Sequence, residues 1–231
     1  QRPTSNVGEK WSPGIGPWTS DLGLQPLDLG QWPQDTDLTV TAVQPLIPLY
    51  QFKQTYIVAT DGDDLILIDQ HAAHERILYD RLSQEGQAVG CQTLLIPETM
   101  EAKMAEAVIL KDNLAELNRL GFEIDEFGSN SFIIRSVPAV AAKVAPRQLL
   151  IDILSDLMES GKTIQMDVKR ENLRKLVACH SAIKAGDKLD PEEMKQLIRD
   201  LYAAQNPLTC PHGRPTMVRI IEEELKKRFG R

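Results

Sequence analysis

The chain has 231 residues, 42% of them apolar and 26% charged, enough for one large or two small domains with a real core. Its 26 basic and 33 acidic side chains leave a formal charge of −7, which excludes a body that grips nucleic acid by bulk electrostatics alone, so any such contact must be local or assisted. No apolar run approaches the roughly 18 residues of a spanning helix and no charged-then-apolar leader opens the chain, so neither a membrane protein nor a secreted one is expected.

Three scattered cysteines, Cys91, Cys179 and Cys210, suit a reducing compartment better than a disulfide framework. The sequence starts at Gln1, which is expected of a piece of a longer protein.

Residues 1–40 read as a flexible linker: Pro3, Pro13, Pro17, Pro26 and Pro33 alternate with Gly8, Gly14, Gly16, Gly23 and Gly30 and no helical or strand period survives. Trp11, Trp18 and Trp32 all fall inside it. Strands are predicted over Leu46 to Phe52, Tyr56 to Thr60 and Leu65 to Asp69, the last two joined by a turn at Asp61-Gly62-Asp63, followed by a helix from Ala72 to Ser83. Next come a short strand at Leu94 to Ile96, a helix from Thr99 to Leu120 with Met100, Met104, Val108 and Leu117 on one face, and a hairpin from Phe122 to Val137 turning at Gly128-Ser129-Asn130. Helices follow over Arg147 to Glu159, Val168 to Lys184 and Pro191 to Ala203, the last with an Asp190 cap, Pro191 in its first turn and Glu193 three residues after the cap. A strand from Thr216 to Ile220 and a charged helix to Arg228 complete an α/β pattern of the α+β type, without internal repeats.

Chemistry concentrates in three segments. Of the four histidines, His71 and His74 lie in Asp69-Gln70-His71-Ala72-Ala73-His74-Glu75, His180 follows Cys179, and His212 lies in Cys210-Pro211-His212-Gly213-Arg214-Pro215. On a helix starting after Asp69, residues four apart share a face, so His71 and Glu75 point the same way, with Asp69 at the strand's end nearby. Cys210 and His212 offer a thiolate and an imidazole on one bend, as a zinc site would use them.

Plainer readings exist for each segment. Asp69 could be an ordinary helix cap with His71 satisfied in the core, Cys179 a small buried hydrophobe, and Cys210 to Pro215 only a turn. Their joint occurrence favours a site.

The three segments resemble the carboxyl-terminal domain of the MutL family of DNA mismatch-repair proteins, in its DNA-nicking branch. The family motif Asp-Gln-His-Ala-x-x-Glu-x-x-x-x-Glu is met by Asp69, Gln70, His71, Ala72 and Glu75 and departs at Asp80. Ala-Cys-(Arg/Lys)-Ser-Ala is met by Ala178, Cys179, Ser181 and Ala182 with His180 in place of the long cation, and Cys-Pro-His-Gly-Arg-Pro is met in full from Cys210 to Pro215. The resemblance spans roughly Pro45 to the C-terminus.

That resemblance implies a metal centre of His71, Glu75, Cys179, Cys210 and His212 faced by Asp69, with Asp69, His71 and Glu75 catalytic. Thiolate and imidazole favour Zn²⁺, whereas the free carboxylate of Asp69 suits Mn²⁺ or Mg²⁺ during nicking. His74 is expected on a solvated face rather than as an extra ligand. Asp80, about 180° around the helix from His71, is expected to matter only to local packing or to a salt link at the helix exterior.

Gln92-Thr93-Leu94-Leu95-Ile96-Pro97 could be a buried edge strand ending at a proline. Within this family it resembles the peptide that docks on the bacterial sliding clamp, with Gln92 as polar anchor and Leu94, Leu95, Ile96 and Pro97 as the apolar part. A ring already encircling DNA would supply the local concentration that net charge cannot.

The resemblance further implies a homodimerising subdomain with a mixed sheet, from 41–83 and 178–231, that carries the metal site. A regulatory subdomain, 84–177, is inserted in it. Met217, Val218, Ile220 and Ile221 supply apolar surface for pairing. The implied function is metal-dependent nicking of duplex DNA in mismatch repair, activated by the clamp, with the mismatch-recognition protein MutS as a partner and a cytoplasmic, nucleoid-associated location. No phosphate-binding glycine motif is visible, so ATP would belong to a module upstream of the linker. The alternatives are a non-catalytic dimerisation module and a purely structural zinc site.

Overall fold

The computed structural model describes residues 46–83, 89–159 and 166–231; the predicted linker and its tryptophans lie outside that range. The elements are β1 (Ile47–Phe52), β2 (Tyr56–Thr60), β3 (Leu65–Asp69), α1 (Gln70–Ser83), β4 (Cys91–Glu101), α2 (Met104–Arg119), β5 (Glu123–Glu126) and β6 (Ser131–Pro138). After a short 3₁₀ turn come α3 (Pro146–Glu159), α4 (Met166–Ser181), α5 (Pro191–Tyr202), β7 (Met217–Ile220) and α6 (Glu222–Arg228). No helix among the described residues is long and apolar enough to cross a membrane.

The strands form two sheets, ordered β1-β2-β3-β7 and β4-β6-β5, antiparallel at every pairing. The α+β class read from the sequence holds, but the expected mixed sheet is wholly antiparallel among the described residues. Tight turns between β1, β2 and β3 force antiparallel neighbours, and β7 returns against β3 with Val218 opposite Leu67.

The β1–β2 turn, closed by the Thr55 amide donating to the Phe52 carbonyl at 3.1 Å, places its two central residues, Lys53 and Gln54, at φ of 55° and 50°, a left-handed geometry that side-chain-bearing residues resist. The Gln54 carbonyl accepts from Gln70 Nε2 at 2.9 Å and from the Gly186 amide at 2.8 Å, which holds the turn. At the β2–β3 turn, Asp61 Oδ1 accepts from the amides of Asp63 and Asp64, as Asp does in turns.

One face of the four-stranded sheet is covered. Ile57, Ala59, Ile66 and Ile68 pack with Ala73 and Ile77 of α1 and with Met194, Leu197, Ile198 and Leu201 of α5. A second core gathers Phe132 and Ile134 of β6, Leu110 and Leu117 of α2, Leu150 and Ile153 of α3 and Val177 of α4, together with Leu78 and Leu82 of α1. Helix α1 therefore contributes to both cores, and its first two turns are fixed from several sides.

Two local expectations change. The strand predicted at Leu94 to Ile96 is the eleven-residue β4, and the helix predicted from Thr99 starts at Met104. Met100 is buried in the strand, while Met104 and Val108 face solvent and Ala107, Leu110 and Leu117 are the buried apolar residues of α2. Val108 and Leu117 are nine residues apart, about 180° around the helix, so they could not share a face. The cap of α5 is as read: Asp190 Oδ1 accepts from the amides of Glu192 and Glu193, and Glu193 reaches back to the Asp190 amide.

Candidate metal centre

The site grows from the β3–α1 junction. The Asp69 amide donates to the Thr216 carbonyl at 2.9 Å, and Asp69 Oδ1 accepts from the amides of His71 at 2.9 Å and Ala72 at 3.0 Å. Asp69 is thus a helix cap, and its Oδ2 forms no hydrogen bond among the described residues. Capping and a second role for the same carboxylate are compatible.

His71 points to the loop after α4. Its Nδ1 lies 2.9 Å from the Ile183 carbonyl, which can only accept, so in the neutral ring Nδ1 carries the proton and Nε2 the lone pair. Nε2 is 3.9 Å from Cys179 Sγ. A carbonyl that fixes the far nitrogen of an imidazole is the usual support of a metal-binding histidine.

His74 is half-buried rather than on a solvated face, and it meets the other polar group of Ile183. Its Nδ1 accepts from the Ile183 amide at 3.0 Å, and burial, aided by the charges of Arg81 and Lys143, lowers its pKa to about 4. It sits one turn from His71 and is used for packing.

Glu75 is fully buried. Its Oε2 is 3.4 Å from Arg214 Nη2, and its Oε1 faces His212 Nδ1. The second contact lacks hydrogen-bond geometry, so Oε1 is a buried oxygen without a hydrogen-bond donor. That is expensive unless something else satisfies the charge. The Cys210 thiol is buried beside it, and one ligand atom each of Glu75, Cys210 and His212 lies within 4.8 Å of the others.

The loop bearing Cys210 and His212 is shaped by its backbone. Thr209 bridges Pro215, the Cys210 amide donates to the Arg214 carbonyl and the Gly213 amide to the Cys210 carbonyl, and Gly213 takes a φ of 80° that glycine tolerates freely. The segment is a turn, as the plainer reading had it, and the turn aims a thiol and an imidazole at Glu75.

The five ligands implied by the resemblance fall into a trio, Glu75, Cys210 and His212, and a pair, His71 and Cys179. Burial, with the charge of Glu75 added, pushes the Cys179 thiol up to about 11. The donor set of the trio, an oxygen, a sulfur and a nitrogen converging on an orphaned carboxylate oxygen, fits a zinc ion, and the lone pair of His71 suits a further ligand.

His180, between Cys179 and Ser181, turns away from the centre. Its Nε2 is 2.8 Å from Asp156 and its Nδ1 3.9 Å from Asp152, both on α3.

Several supporting residues escaped the sequence reading. Gln70 is buried and bonds four groups: Gln51 Nε2 at its oxygen, and the carbonyls of Gln54, Lys184 and Asp187 at its nitrogen. Arg214 is held in its charged form chiefly by a hydrogen bond to Cys210, with the charges of Cys210, Glu75 and Asp69 adding. The salt link expected of Asp80 forms, with Arg76 at 2.8 Å, but not at an open exterior, since the Asp80 side chain is 13% exposed; the i, i+4 spacing could have named the partner.

The segment Gln92 to Pro97 lies on β4, an edge strand, where the pairing jumps from Thr93 opposite Ser136 to Glu98 opposite Ile134. The bulge lifts Leu94 to Pro97 off the ladder, where a proline is tolerated. Leu95 is 103% and Ile96 81% exposed while Leu94 stays half-buried, so a buried edge strand is not what forms.

Residues 49–189 match the family described as MutL C terminal dimerisation domain. The chain is 38% identical over 185 residues to the DNA mismatch repair protein MutL of Halothermothrix orenii, covering 79% of this chain and 29% of that one. It is 40% identical over 190 residues to the MutL of Methanothrix thermoacetophila (81% and 34%), and 41% identical over 194 residues to that of Symbiobacterium thermophilum (82% and 31%). The chain thus spans about a third of the length of these relatives.

Proposed function

Because the chain belongs to the MutL C terminal dimerisation domain family, we propose that it is a metal-dependent DNA-nicking domain of mismatch repair that pairs with a second copy and is brought to duplex DNA by a sliding clamp. The observation that carries the catalytic part is the buried Glu75 Oε1, which makes no hydrogen bond and clusters with Cys210 and His212.

Zn²⁺ would be held by Glu75, Cys210 and His212, with His71 through Nε2 and Cys179 beside it. When bound, such an ion polarises a phosphoryl oxygen and lowers the pKa of an attacking water. The chain supplies the rest. Ile183 leaves the lone pair of His71 on Nε2, Arg214 balances the buried charge of Glu75, and Asp69, whose Oδ1 caps α1, would offer Oδ2 to a harder ion, Mn²⁺ or Mg²⁺. Asp69, His71 and Glu75 are the catalytic residues of this reading.

The pairing surface is the uncovered face of the four-stranded sheet. Tyr50, Val58, Leu67 and Val218 line up across its four strands, with Val58 already buried among its neighbours, and Ile47, Tyr50, Phe52 and Tyr56 remain exposed near its β1 edge. Of the residues first assigned to pairing, Met217, Val218 and Ile220 are half-buried on β7 and Ile221 is exposed. In this reading 41–83 with 178–231 form the pairing part and 84–177 the regulatory part. The clamp is engaged through Gln92, Leu94, Leu95, Ile96 and Pro97. The mismatch-recognition protein MutS, an upstream ATP-binding module and a cytoplasmic, nucleoid-associated site of action complete the proposal.

Nicking of supercoiled plasmid with Mn²⁺, by the unaltered chain and by Asp69→Asn, tests it. Nicking that disappears with the carboxylate supports the reading. A non-catalytic pairing module predicts no nicking by either protein, and a purely structural zinc site predicts bound zinc without nicking.

A further inference from the structure

Of the converging trio, helix α1 carries Glu75, with His71 one turn before it, and the loop after α5 carries Cys210 and His212. The described part of that loop, Ala203 to Thr216, has no helix or strand of its own beyond the Thr209–Pro215 bridge, so its position depends on what grips it.

From the β7 side, the Thr216 amide donates to the Leu208 carbonyl at 3.0 Å and the Thr216 hydroxyl to the Pro207 carbonyl. From the α1 side, two side chains reach it. Arg76 Nε donates to the Thr209 carbonyl at 2.9 Å, and Asp80 Oδ2 accepts from the Gln205 amide at 2.8 Å. The two are joined to each other, Arg76 Nη1 to Asp80 Oδ1 at 2.8 Å, with 11% and 13% of their side chains exposed. The guanidinium also lies 5.1 Å from the centre of the Tyr79 ring.

We infer that Arg76 and Asp80 form a positioning pair that sets the Cys210–His212 loop against Glu75 and so governs how tightly the centre keeps its metal. This rests on the metal-centre reading proposed above. The path is short: Arg76 follows Glu75 in the chain, Thr209 precedes Cys210, and one hydrogen bond closes the gap. Neither residue belongs to the converging ligand trio, and Asp80 lies about 140° around the helix from Glu75. Truncating Asp80 leaves a mostly buried guanidinium without its carboxylate and frees the Gln205 amide. Truncating Arg76 frees the Thr209 carbonyl next to a ligand. Supports of this kind typically change metal affinity about 10- to 100-fold.

The test titrates Co²⁺ into the 231-residue chain against a competing chelator, with thiolate-to-cobalt absorption as a spectroscopic readout, for the unaltered protein, Arg76→Met, Asp80→Ala and Asp80→Glu. Melting in EDTA reports on the metal-free fold. The expected result is Co²⁺ binding at least about tenfold weaker in Arg76→Met and Asp80→Ala, with a displaced or weakened thiolate band and a metal-free fold that still melts cooperatively, at a lower temperature where Asp80→Ala strips the buried guanidinium of its carboxylate. Asp80→Glu, which keeps a carboxylate four residues from Arg76, is expected to retain nearly full affinity.

Unchanged affinity and spectrum in the first two variants overturn the inference, as does an Asp80→Glu protein as weak as Asp80→Ala. A metal-free fold that collapses with the truncations also overturns it, because the pair would then build the domain rather than place the loop. Failure of the unaltered chain to bind Co²⁺ defeats the metal-centre reading itself, and is told apart by needing no variant.

Discussion

His71 and Ile183 are tied by a 2.9 Å hydrogen bond from Nδ1 to the carbonyl, on the far side of the ring from Cys179. One turn further along α1, His74 accepts from the amide of the same Ile183. The two rings hold both polar groups of one backbone residue, and the bond polarities require Nδ1 of His74 to stay unprotonated.

Stability should therefore respond to pH through His74. Its folded pKa is lowered from 6.5 to about 4, so between those values the unfolded chain binds a proton that the folded chain refuses. The contribution is present above pH 6.5 and lost as pH falls toward 4, at most on the order of 3 kcal/mol. His74→Gln keeps an acceptor for Ile183 but cannot titrate. Urea unfolding in EDTA at several pH values should give a shallower decline for that variant between pH 6.5 and 4. Parallel curves would show that His74 does not resist protonation.

Asp69 carries two roles that substitution can separate. Asparagine accepts at a helix N-terminus about as well as aspartate, so Asp69→Asn should melt within a few degrees of the unaltered chain and retain zinc while losing nicking. Asp69→Ala should lose nicking and also about 1 kcal/mol of stability. If Asp69→Asn nicks plasmid at the normal rate, the carboxylate has no part in the chemistry.

The pattern of what could be read in advance follows the range of the interactions. Strands β1 to β3 and the α5 cap rest on periodicity and on contacts within a few residues, and they stand as read. The start of α2 was misplaced because Thr99, Met100 and Glu101 continue β4 by pairing with β6, a partner some thirty residues away that no local period reveals. At the candidate site, the three segments that carry Glu75, Cys179, Cys210 and His212 were legible as motifs. The work of Gln70, Arg76 and Arg214 was not, since each acts on a backbone or side-chain atom more than a hundred residues distant in sequence. Asp80 shows the limit of helix geometry alone: the angle turns it away from the cluster of Glu75, Cys210 and His212, but says nothing of the loop that covers it.

Pairing of two copies should depend on the exposed face of β1. Tyr50→Glu together with Phe52→Glu places charges on that face while leaving Ile57, Ile66 and Ile68 beneath it intact. Light scattering at micromolar concentration should give a dimer mass for the unaltered chain and a monomer mass for the double variant, with unchanged zinc content. A dimer that survives both charges would move the interface elsewhere.

The Gln92–Pro97 segment gives the cleanest separation of binding from folding. Leu95 is fully exposed and Gln92 Nε2 bonds only the neighbouring Thr93 carbonyl among the described residues, so neither side chain supports the core, and truncation at such sites usually changes stability by no more than about 0.5 kcal/mol. A peptide docking on a partner would bury Leu95 and Ile96, and losing one such side chain from a pocket costs about 1.5–3 kcal/mol, or roughly 10- to 100-fold in affinity. Gln92→Ala with Leu95→Ala should therefore abolish measurable binding to a bacterial sliding clamp in surface plasmon resonance, remove clamp-stimulated nicking, and leave melting temperature, metal content and unstimulated nicking as they were. Clamp affinity unchanged in that double variant would mean that the bulge of β4 serves another purpose.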